Sequence, residues 1–360
     1  MMPERVLIAG FATRHVAQSA FNAGYEVCTV DHFCDQDLTW YTKDREKFED
    51  LADLPDAIGR ICRRQKFDYF VPTSGAEMLP IPFERLGTEP GSVRRFLDKL
   101  DTQQFFESLS VPVPRILAEG EYPAMVKPRT GAGGWRNAVI TSDAAMTAWE
   151  EIYEDVPHIC QEVVAGAPAS VSCIATGSQA MAIATNEQIL RGGEGVSAYG
   201  FSGSVTPAAH PAGGEMQALA GWIAAESGCV GTIGIDFVIG NDGPVAIEVN
   251  PRFQGTVDTV EMATGANIFS LHLAACRGML PPEPPVALQA ACRTILFADR
   301  DITVNEDLSR FREYVADIPW PGTFFEEEQA LVSVYGWGPD RQAALAMLYK
   351  HISTVRQYMR

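Results

Sequence analysis

No apolar run in this sequence approaches the ~20 residues that a bilayer-spanning helix requires. Met1 to Arg5 lead directly into a strand-like run rather than a signal peptide, which sets the expectation of a cytoplasmic protein. Positive charge is also scarce. There are 28 Lys and Arg against 46 Asp and Glu, a net charge of -18, and non-specific nucleic-acid or anionic-membrane binding needs a basic face that such a chain does not offer. The eight cysteines form no C-x-x-C pair, and no H-x-x-x-H occurs. A structural zinc site and a secreted disulfide framework are therefore not expected. Nor is there an evident Ser-His or Cys-His arrangement for nucleophilic catalysis.

What the chain has is length and an ordinary core. Its 360 residues suffice for two or three packed domains, and 46% hydrophobic with 21% charged residues is usual for a globular protein. Arg5 to Ala9 reads as a buried strand ending in Gly10, His15 to Ala23 as a helix, and Tyr25 to Asp31 as a second strand. This β-α-β outline with Asp31 at its end suggests a dinucleotide fold. The fingerprint G-x-G-x-x-G is missing, however, since Gly10 stands alone, and a nicotinamide site is not expected. The acidic stretch Asp31 to Asp37 reads as a solvated loop, with contact to substrate as the alternative. Glu77, after the buried strand Phe67 to Thr73, stands where α/β sheets place ligands and is a candidate for gripping a substrate amine; a helix-start glutamate is the plain alternative.

Ser92 to Leu109 has helical spacing and ends at Val111-Pro-Val-Pro114. The strand Ala124 to Pro128 carries Lys127 and runs into Arg129-Thr-Gly-Ala-Gly-Gly134. Gly131, Gly133 and Gly134 would let backbone N–H groups approach phosphates without a Cβ in the way, with Lys127 as a point charge. The order is wrong for a P-loop, and Trp135 to Ile140 reads as a returning strand, so the glycines form a hairpin flap. Asn186 to Pro207 reads as one long loop around Arg191, a further candidate for phosphate or carboxylate. In Thr232 to Gly255, Ile235, Phe237 and Ile239 alternate along a strand, Asn241-Asp242-Gly243 makes the turn, and Glu248 and Asn250 point to one side of the returning strand. With Asp236 on the partner strand they would form a hard oxygen site of the kind that holds magnesium, and Arg252 adds a fixed cation.

The string Glu248-Val-Asn-Pro-Arg252, the glycine flap after Lys127 and the hinge-like Gln161-Glu162-Val163-Val164-Ala165-Gly166 resemble the ATP-grasp superfamily. The resemblance covers nearly the full chain and is similar to a group of proteins described as predicted carboligases related to biotin carboxylase. It implies an α/β (α+β) multi-domain fold: a Rossmann-like domain over 1–95, an ATP-grasp domain over 96–280 with a small lid at about 115–185, and a mixed-sheet C-terminal subdomain over 281–360. It implies ATP and Mg2+ as cofactors, the metal held by Asp236, Glu248 and Asn250. Lys99, Lys127 and the flap glycines would meet the phosphates, and Gln161 to Val164 the adenine. Arg252 and Lys127 would be catalytic, with Glu77, Arg191 and Arg252 near the substrate.

The implied activity is an ADP-forming carboxylate-amine ligase acting on small molecules through an acyl phosphate. A biotin-carboxylase-like carboxylase and a non-enzymatic ATP-binding protein are the alternatives. Biotin carboxylases carry a glutamate base where this chain has Thr256, which turns the expectation away from bicarbonate. Many relatives also have an acidic ribose-binding residue where this chain has Ala167-Pro168, leaving ribose recognition open. Manganese in place of magnesium and a homodimeric assembly are both compatible with the resemblance.

Overall fold

The computed structural model describes residues 3–131, 133–193 and 197–359. Ala132 of the expected flap, and 194–196 of the expected long loop, lie outside them. Five parallel strands form the first sheet: β1 (Arg5–Gly10), β2 (Glu26–Asp31), β3 (Asp44–Lys47), β4 (Tyr69–Pro72) and β5 (Glu84–Arg85), in the order β3-β2-β1-β4-β5. β1 and β4 are apolar on both faces because both are covered, as parallel sheets require. Leu7, Phe70, Leu54 and Ile61 pack on one side. Val6, Ile8 and Val71 on the other meet Phe253, Val260 and Phe269 from the rest of the chain.

A small antiparallel sheet of β6 (Ala124–Pro128), β7 (Ala138–Ile140) and β8 (His158–Glu162) stands apart, ordered β7-β6-β8. The helix Asp143–Ile152, capped by Ser142, buries Trp149 against it. The lid sheet ends at Glu162. β9 (Ala167–Thr176) and β10 (Ala180–Leu190), expected within the lid, belong instead to a large eight-stranded sheet.

That sheet continues through β11 (Phe201–Thr206), β12 (Val230–Gly240), β13 (Gly243–Asn250) and β14 (Ala290–Phe297). β15 (Ile302–Val304) and β17 (Thr323–Phe325) form a separate ribbon, while β16 (Val315–Ala316) and β18 (Ala330–Gly338) complete the large sheet in the order β13-β12-β9-β10-β11-β14-β18-β16. The C-terminal strands thus extend the same sheet that carries the ATP-grasp-like hairpin. Helix Gly213–Glu226 buries Met216, Ala220 and Ile223 on it, and helix Arg341–Val355 buries Ala344 and Leu348.

Two expectations need correction. Ser92 to Leu109 is not one helix. It breaks at Asp98, whose extended backbone (φ -112°, ψ 123°) lets its carboxylate accept from Leu100 N and Asp101 N, capping a new helix Lys99–Ser108. Asn186 to Pro207 is not one loop either, because β10 runs on to Leu190 and β11 starts at Phe201. Among the described residues no helix is long and apolar enough to cross a membrane.

Candidate active site

One cavity of about 600 Å³ runs between the first sheet, the lid and the large sheet. Its centre is the β12–β13 hairpin. Asp236 pairs directly with Glu248, and the register then shifts so that Phe237 faces Ala246, leaving Ile247 as an extra residue beside the carboxylates. A bulge of this kind turns side chains at sheet sites where function needs them. Both carboxylates line the cavity with Asn250. Asp236 accepts from Gln188 Nε2 at 2.9 Å and from Asn250 Nδ2 at 3.1 Å. Burial, and after it the Glu248 charge, pushes the Asp236 carboxyl up to about 7.

This donor set fits a hard divalent cation. Two carboxylates are held directly across the hairpin from each other, and burial first and their mutual repulsion second disfavour the charge on Asp236, a cost that a bound cation would offset. The amide oxygen of Asn250 accepts from Arg252 Nη1 at 2.8 Å, so it would have to leave Arg252 to act as a ligand. Among the described residues no group of three His, Cys, Asp or Glu gathers as a metal cluster. A metal here would complete its shell with phosphate oxygens and water.

An outcome follows for the metal-free protein. A carboxyl whose folded value lies above its unfolded one stabilises the fold only while protonated, so its contribution is present below about pH 4 and lost as pH rises through 7. Asp236→Asn should therefore melt higher than the parent above pH 7 in EDTA, by roughly 2 °C or more. The two should converge near pH 4. Melting curves that stay parallel across this range would refute the buried-charge account.

Lys127 is buried at the end of β6 and lines the cavity. Desolvation lowers its ammonium to about 8, against the raising effect of Glu248 and with Lys99 adding to the fall. Gly133 and Gly134 line the same wall with φ of 70° and 71°, where a Cβ is strained; at Gly134 a Cβ would also lie 2.2 Å from Tyr199 O. Gly131 does not line the cavity. Its carbonyl accepts from Lys99 Nζ at 3.0 Å, so Lys99 braces the flap from behind.

At the hinge, Glu162 and Val164 line the cavity with Met125 and Ile247. The Glu162 carboxylate accepts from Arg115 N at 3.0 Å and so closes the lid strand. Gln161, expected beside it, is buried away from the cavity with Nε2 on Gln103 Oε1 at 2.8 Å. Val163 is at the surface.

Arg252 lines the cavity, and its Nε lies 3.4 Å from Glu77 Oε1. Glu77 is buried and accepts from Gly75 N at 2.6 Å, so it holds Arg252 rather than facing a ligand. Arg191 is likewise committed elsewhere: its guanidinium sits 4.0 Å from the Phe297 ring centroid and donates to Glu328 O. Thr256, at the place of a carboxylase base, is buried with its hydroxyl 3.2 Å from Ser172 Oγ.

Of the far end of the cavity, lined by Phe11, His15, Phe33, Asp35, Arg293 and Asp317, sequence reasoning reached only the acidic stretch Asp31 to Asp37, as a solvated loop first and a substrate contact second. Behind it Arg14 makes a paired contact with Asp258 (3.0 and 2.6 Å) and reaches Asp317 at 2.9 Å. Arg293 meets Asp317 from the other side at 2.9 Å, and Tyr335 donates to Asp258 at 2.6 Å. Arg14 and Arg293 hold the Asp317 carboxyl below its ordinary value against the upward push of burial. Asp31 accepts from Thr13 N, Thr13 Oγ1, Phe33 N and Cys34 N, which leaves it nothing to offer a nucleotide ribose. Asp37 is buried and takes the N–H groups of Asp317 and Ile318, so the expected solvated loop is a clasp.

Residues 96–256 match the ATP-grasp domain family. That stretch is similar to an ATP-grasp domain, and the fold of the chain is similar to that of solved biotin carboxylase and ribonucleotide synthetase structures. Over 92% of its length it is 24% identical to an uncharacterized protein of Methanocaldococcus jannaschii, of which the alignment covers 87%. It superposes on the biotin carboxylase domain of Hydrogenobacter thermophilus 2-oxoglutarate carboxylase, solved with MgADP, ADP and bicarbonate, with a TM-score of 0.79 at 12% identity, covering 98% of this chain and 90% of that one. An ADP complex of N5-carboxyaminoimidazole ribonucleotide synthetase gives 0.76 at 16% identity, covering 100% and 99%. Against Rhizobium etli pyruvate carboxylase the chain spans 37% of the longer protein. At these identities the likeness establishes the fold, a mixed α/β architecture.

Proposed function

We propose that the protein is an ATP-dependent, ADP-forming ligase that joins a small carboxylate to an amine through an acyl phosphate, and that it works in the cytoplasm. The observation that carries this reading is Asp236 set directly across from Glu248 in the cavity that Lys127 and the flap glycines also line. Thr256 places a hydroxyl already hydrogen-bonded to Ser172 where a carboxylase would need a base, which favours ligation over bicarbonate chemistry. The presence of Asp236, Glu248 and Asn250 together in the cavity argues against a non-enzymatic ATP binder.

Phosphoryl transfer asks the protein for position and charge rather than a nucleophile. Val164 and the apolar walls Met125 and Ile247 would hold adenine, and Lys127 with Gly133 and Gly134 the phosphates. Asp236, Glu248 and Asn250 would hold magnesium, or manganese, which when bound supplies charge neutralisation at the β- and γ-phosphates. Arg252, fixed by Glu77, would orient the substrate carboxylate. A carboxylate oxygen bonds to the γ-phosphorus as its bond to the β,γ-bridging oxygen breaks and ADP departs. The amine nitrogen then bonds to the acyl carbon, the carbon–oxygen bond to phosphate breaks, and the nitrogen releases its proton to solvent. A homodimer remains compatible with this chemistry, which needs only one chain's residues.

The products test it. Incubation with ATP, magnesium and panels of amino acids and amines should yield ADP and phosphate in equal amounts, dependent on both organic substrates. AMP with pyrophosphate would overturn the acyl-phosphate route.

A further inference from the structure

We propose that Asp35, Phe11 and Phe33 form a binding site for an organic cation, and that its occupant is the amine substrate, a primary ammonium carried on an apolar or aromatic body. The assignment to the amine rests on the ligase reading above; the cation site itself does not.

All three residues line the cavity, and they stand where ligands gather in parallel sheets, just past the carboxyl ends of β1 and β2. The acids around them are nearly all occupied. Asp31 takes four donors, Asp37 two backbone N–H groups with Arg14 at 3.8 Å, Asp258 pairs with Arg14 and Tyr335, and Asp317 with Arg14 and Arg293. Asp35 differs. Its side chain caps no backbone donor of the turn it begins, and among the described residues no cation lies within 4.0 Å of it and no donor reaches it. Burial pushes its carboxyl well above the ordinary carboxylate range, with Asp317, Asp37 and Asp31 adding to the rise and Arg14 opposing it. A charged Asp35 therefore lacks a counter-ion that the rest of the wall does not supply, and an entering cation would supply it.

The rings show the same incompleteness from the apolar side. Phe11 and Phe33 remain 39% and 38% exposed although they line a recess. They meet edge to face at 5.2 Å between centroids, and Phe11 is backed by the His32 ring, stacked at 4.6 Å. An ammonium over such faces gains cation–π attraction, and its hydrocarbon part covers the exposed rings. The loop is also held in shape without a ligand: Gln36 N donates to Ile318 O at 2.8 Å and Trp320 Nε1 to Cys34 O at 3.0 Å. The carboxylate and rings are thus preorganised, which lowers the cost of binding. Arg252, the cation of the cavity's other wall, gives the carboxylate substrate a separate place.

The test needs no turnover. Benzylamine, benzyl alcohol and benzoate share one ring and differ in charge, and their affinities for the full chain can be measured by calorimetry with and without MgADP. Benzylamine is expected to bind at least tenfold more tightly than the other two. Asp35→Asn should remove that preference while MgADP affinity stays within about twofold. Phe33→Ala, which keeps the carboxylate, should weaken benzylamine and benzyl alcohol together, and it serves as the second variant if Asp35→Asn does not fold. Equal binding of the three probes, no binding of benzylamine, or undiminished benzylamine binding by Asp35→Asn would each overturn the site. If benzylamine binds through Asp35 but no pair of substrates ever yields ADP, the ligase reading fails and the cation site stands.

Discussion

Glu248→Gln is expected to cut ATP turnover by about three orders of magnitude or more while leaving the melting temperature at or above that of the parent. The loss is on the scale seen when a group aimed at developing charge is removed from a water-poor site. Gln keeps the size and one oxygen of Glu, so the pairing of β12 and β13 and the bulge at Ile247 should persist. It removes a full negative charge from beside Asp236, and the Asp236 carboxyl, raised partly by Glu248, should then ionise at a lower pH. Steady-state turnover together with magnesium titration of the melting temperature checks both halves. A variant that turns over ATP normally would remove Glu248 from the metal site.

Lys127→Ala should have the second-largest effect. Its buried ammonium, lowered to about 8, is mostly charged at pH 7 and would have its charge restored to a full unit by adjacent phosphates. Losing it should weaken ATP binding by about tenfold and slow phosphoryl transfer by roughly a further hundredfold, if the lysine meets more charge in the transition state than in the ground state. Nucleotide affinity in the parent should also decline as pH rises through 8, because the neutral amine no longer attracts phosphate; the alanine variant should lack that decline. Affinities measured from pH 6.5 to 9.5 in both proteins decide it. A parent profile flat over that range would detach Lys127 from the phosphates.

The hairpin was legible because local rules agree there. Alternating Ile235, Phe237 and Ile239, an Asn-Asp-Gly turn and polar residues two apart on the return strand all specify the same geometry. The end of β10 was not legible, because Asn186 is fully buried yet bonds Ser170, Ser172 and Thr206 across the sheet. A strand whose inner face is a polar layer shows no hydrophobic alternation and reads as loop. Asp98 misled in the other direction: helical spacing continues through it, whereas its own carboxylate starts a new helix. The ionic web behind the far end of the cavity could not be read. Arg14, Asp258, Asp317 and Arg293 meet across up to 303 residues of chain, and no local period encodes such a meeting.

That same ionic web bears on how the molecule can be divided. Arg14 is almost inaccessible, and two of its three carboxylate partners come from the helix after the hairpin and from the C-terminal region. Removing the first sheet would strand Asp258 and Asp317 as buried, half-neutralised charges, a costlier loss than an equal area of greasy contact. The opening Rossmann-like unit is therefore no interchangeable cassette. Any graft that trades it for another protein's, in the hope of trading substrates, must carry Arg14 across with it.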